Sequence, residues 1–225
     1  MEIFVEGLGY NAGKEKILNN INFSLPSKTV MSITGQNGSG KTTLLKCLST
    51  LILPNTGSIL FDSDKLNQGN KLGYRKKICL MLESSKSLYA NLTLLQNIRF
   101  FLEINNCNYK ENEGYIDYLL NAFSLEQHKN KLVSSLSRGM QQKTAITIAL
   151  VPEYDLVLLD EPHIGLDQQS VETLKKELLS QSSAKSIIFT TPIETVLLEA
   201  SSYNMVLENG EAKSFDIIKS FDIMR

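Results

Sequence analysis

A short strand, a glycine-rich turn and a helix in immediate succession leave few folds open to a chain. Here residues 30–33 are an apolar strand, Gly35-Gln36-Asn37-Gly38-Ser39-Gly40-Lys41-Thr42 follows, and Leu44, Leu45, Leu48 and Leu51 then recur at helical spacing until Pro54 and Thr56-Gly57 stop the pattern. The turn fits G-x-x-x-x-G-K-[ST] without a mismatch, in the strand-to-helix context that this phosphate-binding motif requires. Its glycines let backbone N–H groups close around a β-phosphate, and the helix N-terminus adds the positive end of its dipole. Lys41 adds a charge, and the Thr42 hydroxyl can ligate Mg²⁺. The expected nucleotide contacts are therefore Gly35, Gln36, Asn37, Gly38, Ser39, Gly40, Lys41, Thr42 and Thr43.

A second apolar strand, residues 156–159, delivers Asp160 and Glu161 at its end. Asp160 is placed to hold Mg²⁺, with Thr42, and Glu161 to orient or deprotonate an attacking water as the catalytic residue. Further strands are expected at 3–5, 21–25, 58–61, 78–82, 186–190 and 204–207, with helices at 139–150, 170–180 and 193–201. Between about 93 and 124 two apolar stripes at helical spacing, Leu94 to Leu102 and Ile116 to Phe123, predict a helical insert that separates two halves of an α/β core.

Composition limits the partners. The 225 residues are 42% hydrophobic, enough for a core, and 23 basic against 24 acidic residues give a net charge of -1. No global field draws the chain to nucleic acid or to an anionic membrane surface, so no nucleic-acid partner is expected. Cys47, Cys79 and Cys107 are odd in number and lack metal-ligand spacing, which favours reduced thiols in a cytosolic compartment. The N-terminus does not read as a signal peptide, no stretch approaches the ~20 apolar residues that cross a bilayer, and the end after Gly210 is read as too short for a regulatory domain.

Leu136-Ser137-Arg138-Gly139-Met140 precedes the Asp160-Glu161 strand, and Gly165-Leu166-Asp167 follows it. In this order the motifs resemble, over the whole chain, the nucleotide-binding subunit of ABC transporters. The resemblance implies a P-loop NTPase (RecA-like) core with an antiparallel β subdomain, an α/β fold over 1–84 and 139–225, and a helical subdomain over about 85–138. It implies a signature of Ser137, Arg138, Gly139 and Met140 that meets the terminal phosphate held by the opposite subunit of a homo- or heterodimer. It also implies a D-loop aspartate, Asp167, an adenine-stacking aromatic, Tyr10, and the cofactors ATP and Mg²⁺. LSRGM in place of the consensus LSGGQ is similar to exporter-type cassettes. The implied partner is a separate integral membrane subunit, which keeps the chain peripheral on the cytoplasmic face of the membrane. Leu88, Tyr89, Phe100 and Phe101 are candidates for the docking cleft.

Two positions depart from that family. A glutamine is usual where Glu83 or Ser84 stands, and Pro192 stands where the family carries a histidine that touches the terminal phosphate; the only histidines are His128 and His163. His163 is read as structural. Thr191, Pro192 and Glu194 instead suit a helix start, as cap, first position and capping-box acid. Slow hydrolysis, a degenerate half of an asymmetric pair, and a cassette that uses ATP binding alone as a switch, with or without transport, all fit these residues.

Overall fold

The computed structural model describes residues 1–82, 87–192 and 196–218. Two sheets carry the fold. A four-stranded antiparallel sheet has the order β2-β1-β4-β5, from β1 (Ile3–Ala12), β2 (Glu15–Leu25), β4 (Thr56–Phe61) and β5 (Asp64–Lys65). A six-stranded sheet has the order β10-β9-β3-β8-β7-β6, from β3 (Val30–Thr34), β6 (Ile78–Met81), β7 (Leu156–Leu159), β8 (Ser186–Thr191), β9 (Tyr203–Glu208) and β10 (Glu211–Ile217). All its pairings are parallel except the β9–β10 hairpin.

The parallel strands are apolar on both faces, as strands covered on both sides must be. Along β7, Val157 and Leu159 join a core cluster with the helical insert, whereas Leu156 and Leu158 join a second cluster with the antiparallel sheet and α1 (Lys41–Leu48). The two-residue period of a strand thus divides one sequence run between two cores. The insert between β6 and the later helices contains α3 (Leu94–Ile104) and α4 (Tyr109–Ala122); a short α2 (Lys71–Arg75) precedes β6. Thr93 starts α3 with a reciprocal capping box, its hydroxyl accepting from the Gln96 N–H at 3.1 Å and its own N–H donating to Gln96 Oε1 at 2.8 Å. The core resumes with α5 (Arg138–Leu150) and α6 (Gln168–Gln181).

Several elements differ from the sequence expectation. β1 and β2 run well beyond 3–5 and 21–25, pairing Tyr10 with Leu18 and Ala12 with Glu15. At their joined ends Asn11, Ala12, Glu15 and Lys16 are exposed, and only Leu8 and Leu18 are fully buried further in, so the hydrophobic alternation that marks a strand is weak there. β10 was not expected for the same reason: as an edge strand it buries little of either face. The helix predicted over 193–201 is a 3₁₀ turn at Val196–Ala200, and residues 193–195 lie outside the described residues.

Candidate functional site

The ends of β3, β7 and β8 place three segments side by side, because β8 lies between β3 and β7 in the sheet. The turn after β3 leads into α1 with Gly40 as its N-cap. Gly35 has φ 152°, and a Cβ on it would lie 2.1 Å from the Leu207 carbonyl oxygen, so only glycine lets the loop pack on the end of β9. Lys41, 5% exposed, donates from Nζ to the carbonyls of Gly35 at 2.8 Å and Gln36 at 3.1 Å, and the same nitrogen is 3.8 Å from Glu161 Oε1. Ser39 Oγ is buried and has no hydrogen-bond partner among the described residues, a donor that suits a phosphate oxygen.

A chain of short bonds ties the loop to β7. The Thr42 hydroxyl donates to Asp160 Oδ2 at 2.7 Å, and the Thr190 hydroxyl donates to Asp160 Oδ1 at 2.7 Å. Thr190 Oγ1 in turn accepts from the Glu161 N–H at 2.9 Å. Glu161 sits at φ 46°, in the left-handed region that side chains other than glycine and asparagine rarely enter. The Thr190 bond therefore fixes a strained residue next to the carboxylate that Thr42 faces. Thr190 carried no motif; only its place at the end of a buried strand marks it.

Lys41, Thr42, Asp160 and Glu161 border a cavity of about 760 Å³, whose lining does not include Gly35, Gln36, Ser39 or Thr190. Asn37, Gly38, Gly40, Lys41, Thr42 and Thr43 form one wall, and Asp160, Glu161, Arg138 and Gln142 form others. Tyr10 is not part of the lining. Half-buried and paired with Leu18, it packs against the core cluster of the antiparallel sheet, and Glu15 and Ile17 of β2 stand in the wall instead. Gln142, which ends the signature segment, had no role assigned from sequence; its amide donates to the Pro162 carbonyl at 3.0 Å, holding the turn after Glu161.

Of the signature residues, only Arg138 reaches this lining. Ser137 is the N-cap of α5, its hydroxyl accepting from the Met140 N–H at 3.2 Å, and Met140 packs against the core of the insert. A Cβ on Gly139 would lie 2.4 Å from the Gly165 carbonyl oxygen, so α5 begins in backbone contact with the loop that carries Asp167. Asp167 caps α6, accepting from the Ser170 N–H at 2.9 Å, and pairs with Lys143 at 2.7 Å. The Lys143 hydrogen bond, then that of Ser170, holds its carboxyl well below the usual carboxylate range. His163 is half-buried, burial lowers its pKa, and its Nδ1 has no partner among the described residues.

The family model described as ABC transporter matches residues 18–164. The energy-coupling factor transporter ATP-binding protein EcfA1 of Fusobacterium nucleatum is 35% identical over 216 residues, covering 94% of this chain and 80% of that one. The chain belongs to the ABC transporter family. This ABC cassette is also 30% identical to the methionine import ATP-binding protein MetN of Chlamydia felis, over 92% of its own length but only 63% of that relative's. A dimeric ATP-binding cassette solved in a post-hydrolysis state with ADP and Pi shares the fold, with a TM-score of 0.84, 24% identity and coverage of 97% of this chain and 100% of that one.

In this ABC cassette, Pro192 directly follows β8, half-buried, and is not in the cavity lining. Glu83, Ser84 and Glu194 lie outside the described residues, so the Thr191 to Glu194 capping box does too. The donors brought together, one hydroxyl and one carboxylate with room for water and phosphate oxygens, are the oxygen set that Mg²⁺ prefers.

Proposed function

We propose that this chain is an ATP-hydrolysing subunit of an ABC transporter, which binds Mg-ATP at the interface of a cassette dimer and drives a separate membrane subunit from the cytoplasmic face. The observation that carries the reading is the 2.7 Å contact of Thr42 with Asp160 beside Lys41 and Glu161. Thr42 and Asp160 would hold Mg²⁺, which supplies Lewis-acid polarisation of the phosphates. Loop N–H groups and Lys41 hold the phosphates, and Glu161, fixed through Thr190, orients or deprotonates the attacking water. The signature would close on the nucleotide of the opposite subunit, and Asp167 would stand at that interface.

Tyr89, 50% exposed, stands edge-on to Phe100 at 4.7 Å, and Phe100 stands edge-on to Phe101 at 5.4 Å. Asn97, fully buried, accepts from the Tyr89 N–H at 2.8 Å and donates to its carbonyl at 3.0 Å, so the aromatic platform is held by the insert. Of the four candidates Leu88 and Phe101, both half-buried, line an apolar groove of about 250 Å³, and Tyr89 and Phe100 stand beside Phe101 outside that lining; together they are the docking surface for the membrane subunit in the present reading. Tyr89→Asp should abolish co-purification with a membrane protein and leave nucleotide binding intact; purely soluble behaviour of the wild type in cells would contradict transport.

The export direction expected from LSRGM is not carried into this proposal, because a relative named for methionine import shares as much of the chain. Hydrolysis is slow in this reading. Losing one positioned donor costs about 10²–10³ in rate, so a turnover of about 1–10 s⁻¹ becomes events on the scale of minutes. The test is Mg-ATP turnover of the wild type beside Glu161→Gln and Lys41→Ala, with nucleotide binding in the same samples. Turnover lost in both variants supports hydrolysis. Binding that needs Lys41, without turnover above Glu161→Gln, supports the second reading that Pro192 favours, a degenerate cassette or ATP clamp.

A further inference from the structure

The part of the cavity wall that β2 supplies is unlike the rest. Ile17 and Glu15 line it, while Tyr10 on the paired strand does not. Two close approaches clamp this strand beside the phosphate loop: a Cβ on Gly40 would lie 3.1 Å from the Ile17 carbonyl oxygen, and one on Gly210 would lie 2.3 Å from the same atom. The β1–β2 register skips Ile17, because Tyr10 opposes Leu18 and Asn11 opposes Lys16. A bulge of this kind re-aims a side chain. Here Ile17 lines the cavity, while Leu18 beside it is fully buried in the core. Glu15, about 7 Å along the strand from Ile17, lines the cavity again, and Lys16 between them does not. The Glu15 side chain is exposed, and no ion pair or hydrogen bond among the described residues engages its carboxylate. Asp160 and Glu161 have Thr42, Thr190 and Lys41 beside them, but Glu15 would only repel a phosphate. With the phosphates on Lys41 and the loop, β2 stands where the rest of the nucleotide leaves that loop.

We propose that Glu15 reads the base of the bound nucleotide and that this cassette therefore favours guanine over adenine. A carboxylate accepts hydrogen bonds and donates none. The Watson–Crick edge of guanine carries two adjacent donors, N1–H and the 2-amino group, which match the two carboxylate oxygens as a pair. Adenine offers its 6-amino donor beside the N1 lone pair, which a carboxylate repels. Ile17 gives either purine the same apolar surface, so the choice between them falls to Glu15. ATP remains a ligand, the weaker of the two. The inference rests on the nucleotide-binding reading above and names the base that this site takes.

The test measures Kd for Mg-GTP, Mg-ITP and Mg-ATP in Glu161→Gln protein, so that hydrolysis plays no part, with and without Glu15→Ala or Glu15→Gln. Glu15 is exposed beside a hairpin turn, so neither change burdens the fold. Solvent around the carboxylate keeps the discrimination at the low end for a paired contact. GTP should bind about fivefold more tightly than ATP, with ITP, which keeps N1–H but lacks the 2-amino group, in between. Glu15→Ala should bring the three together. Glu15→Gln should reverse the order in favour of ATP, because an amide both donates and accepts and so matches the adenine edge. A parent protein that favours ATP, or a GTP-to-ATP ratio that neither substitution changes, overturns the proposal. So does a deficit for 2′-deoxy-ATP that Glu15→Ala abolishes, since the carboxylate would then be holding the ribose. Failure of the parent protein to bind any of the triphosphates would instead overturn the nucleotide-binding reading itself, and this inference with it.

Discussion

The cavity at the ends of β3, β7 and β8 and the groove beneath the helical insert flank neighbouring strands of one sheet, yet they are built on opposite terms. At the cavity directional bonds set the geometry: Thr42, Asp160, Thr190 and the Glu161 N–H form one continuous chain of bonds of 2.7–2.9 Å. The groove is lined by Ile78, Met81, Ala145 and Ala149 with the aromatic edge of Phe101, and owes its form to packing. Directional bonds fix atoms to the precision that phosphoryl chemistry needs, whereas apolar walls fix only a shape and leave it open to a complementary surface.

If that contrast is right, small polar edits should hurt one region and not the other. Thr190→Val keeps the volume but removes the bond that fixes Glu161, so turnover should fall about 10²-fold with ATP affinity nearly unchanged; a loss of binding in step with turnover would show that Thr190 only supports the fold. The next effect tests whether the insert has a polar anchor of its own. Glu177, 3% exposed, accepts from the Tyr115 hydroxyl at 2.8 Å and the Tyr118 hydroxyl at 2.8 Å, joining α6 to α4. Tyr115→Phe leaves that buried carboxylate one donor short and should cost about 1–3 kcal/mol in denaturant unfolding, with basal turnover retained. Equal stability of the two proteins would mean that the insert is held by apolar packing alone.

The smallest effect is electrostatic. Asp167→Asn keeps a helix cap but loses the ion pair with Lys143. Because the folded-state pKa of Asp167 is depressed, its contribution is present above the ordinary carboxylate pKa of about 4 and disappears as pH falls through the folded value. The side chain is 60% exposed, so solvent screening keeps the gain small. The unfolding midpoints of the two proteins should differ slightly at pH 7 and converge below about pH 4; a gap that widens in acid would refute the ion-pair assignment.

The same division governs what the sequence discloses. The phosphate loop, β7 and the start of α5 were legible because each is a contiguous run whose spacing dictates its local form: Gly35 to Thr42 must turn, and 156–159 must be buried. Thr190 was not, since its role comes from the parallel register of β8 beside β7, which no local pattern states. Tyr10 follows the opposite course. Its chain position suggests base stacking, and what no local pattern states is that it pairs with Leu18 and packs, half-buried, against the core of the antiparallel sheet. The outer β1–β2 hairpin and β10 escaped because exposed strands carry no apolar alternation. The Glu177 contacts join residues about sixty positions apart, beyond the reach of any periodicity.

Glu161 lies at a backbone angle where glycine or asparagine would rest more easily, and such a position costs a side chain of its kind on the order of 1–3 kcal/mol. A glutamate there is a cost to folding that its place beside Lys41 and Asp160 offsets only in action, so this one angle separates what the molecule needs in order to exist from what it needs in order to act.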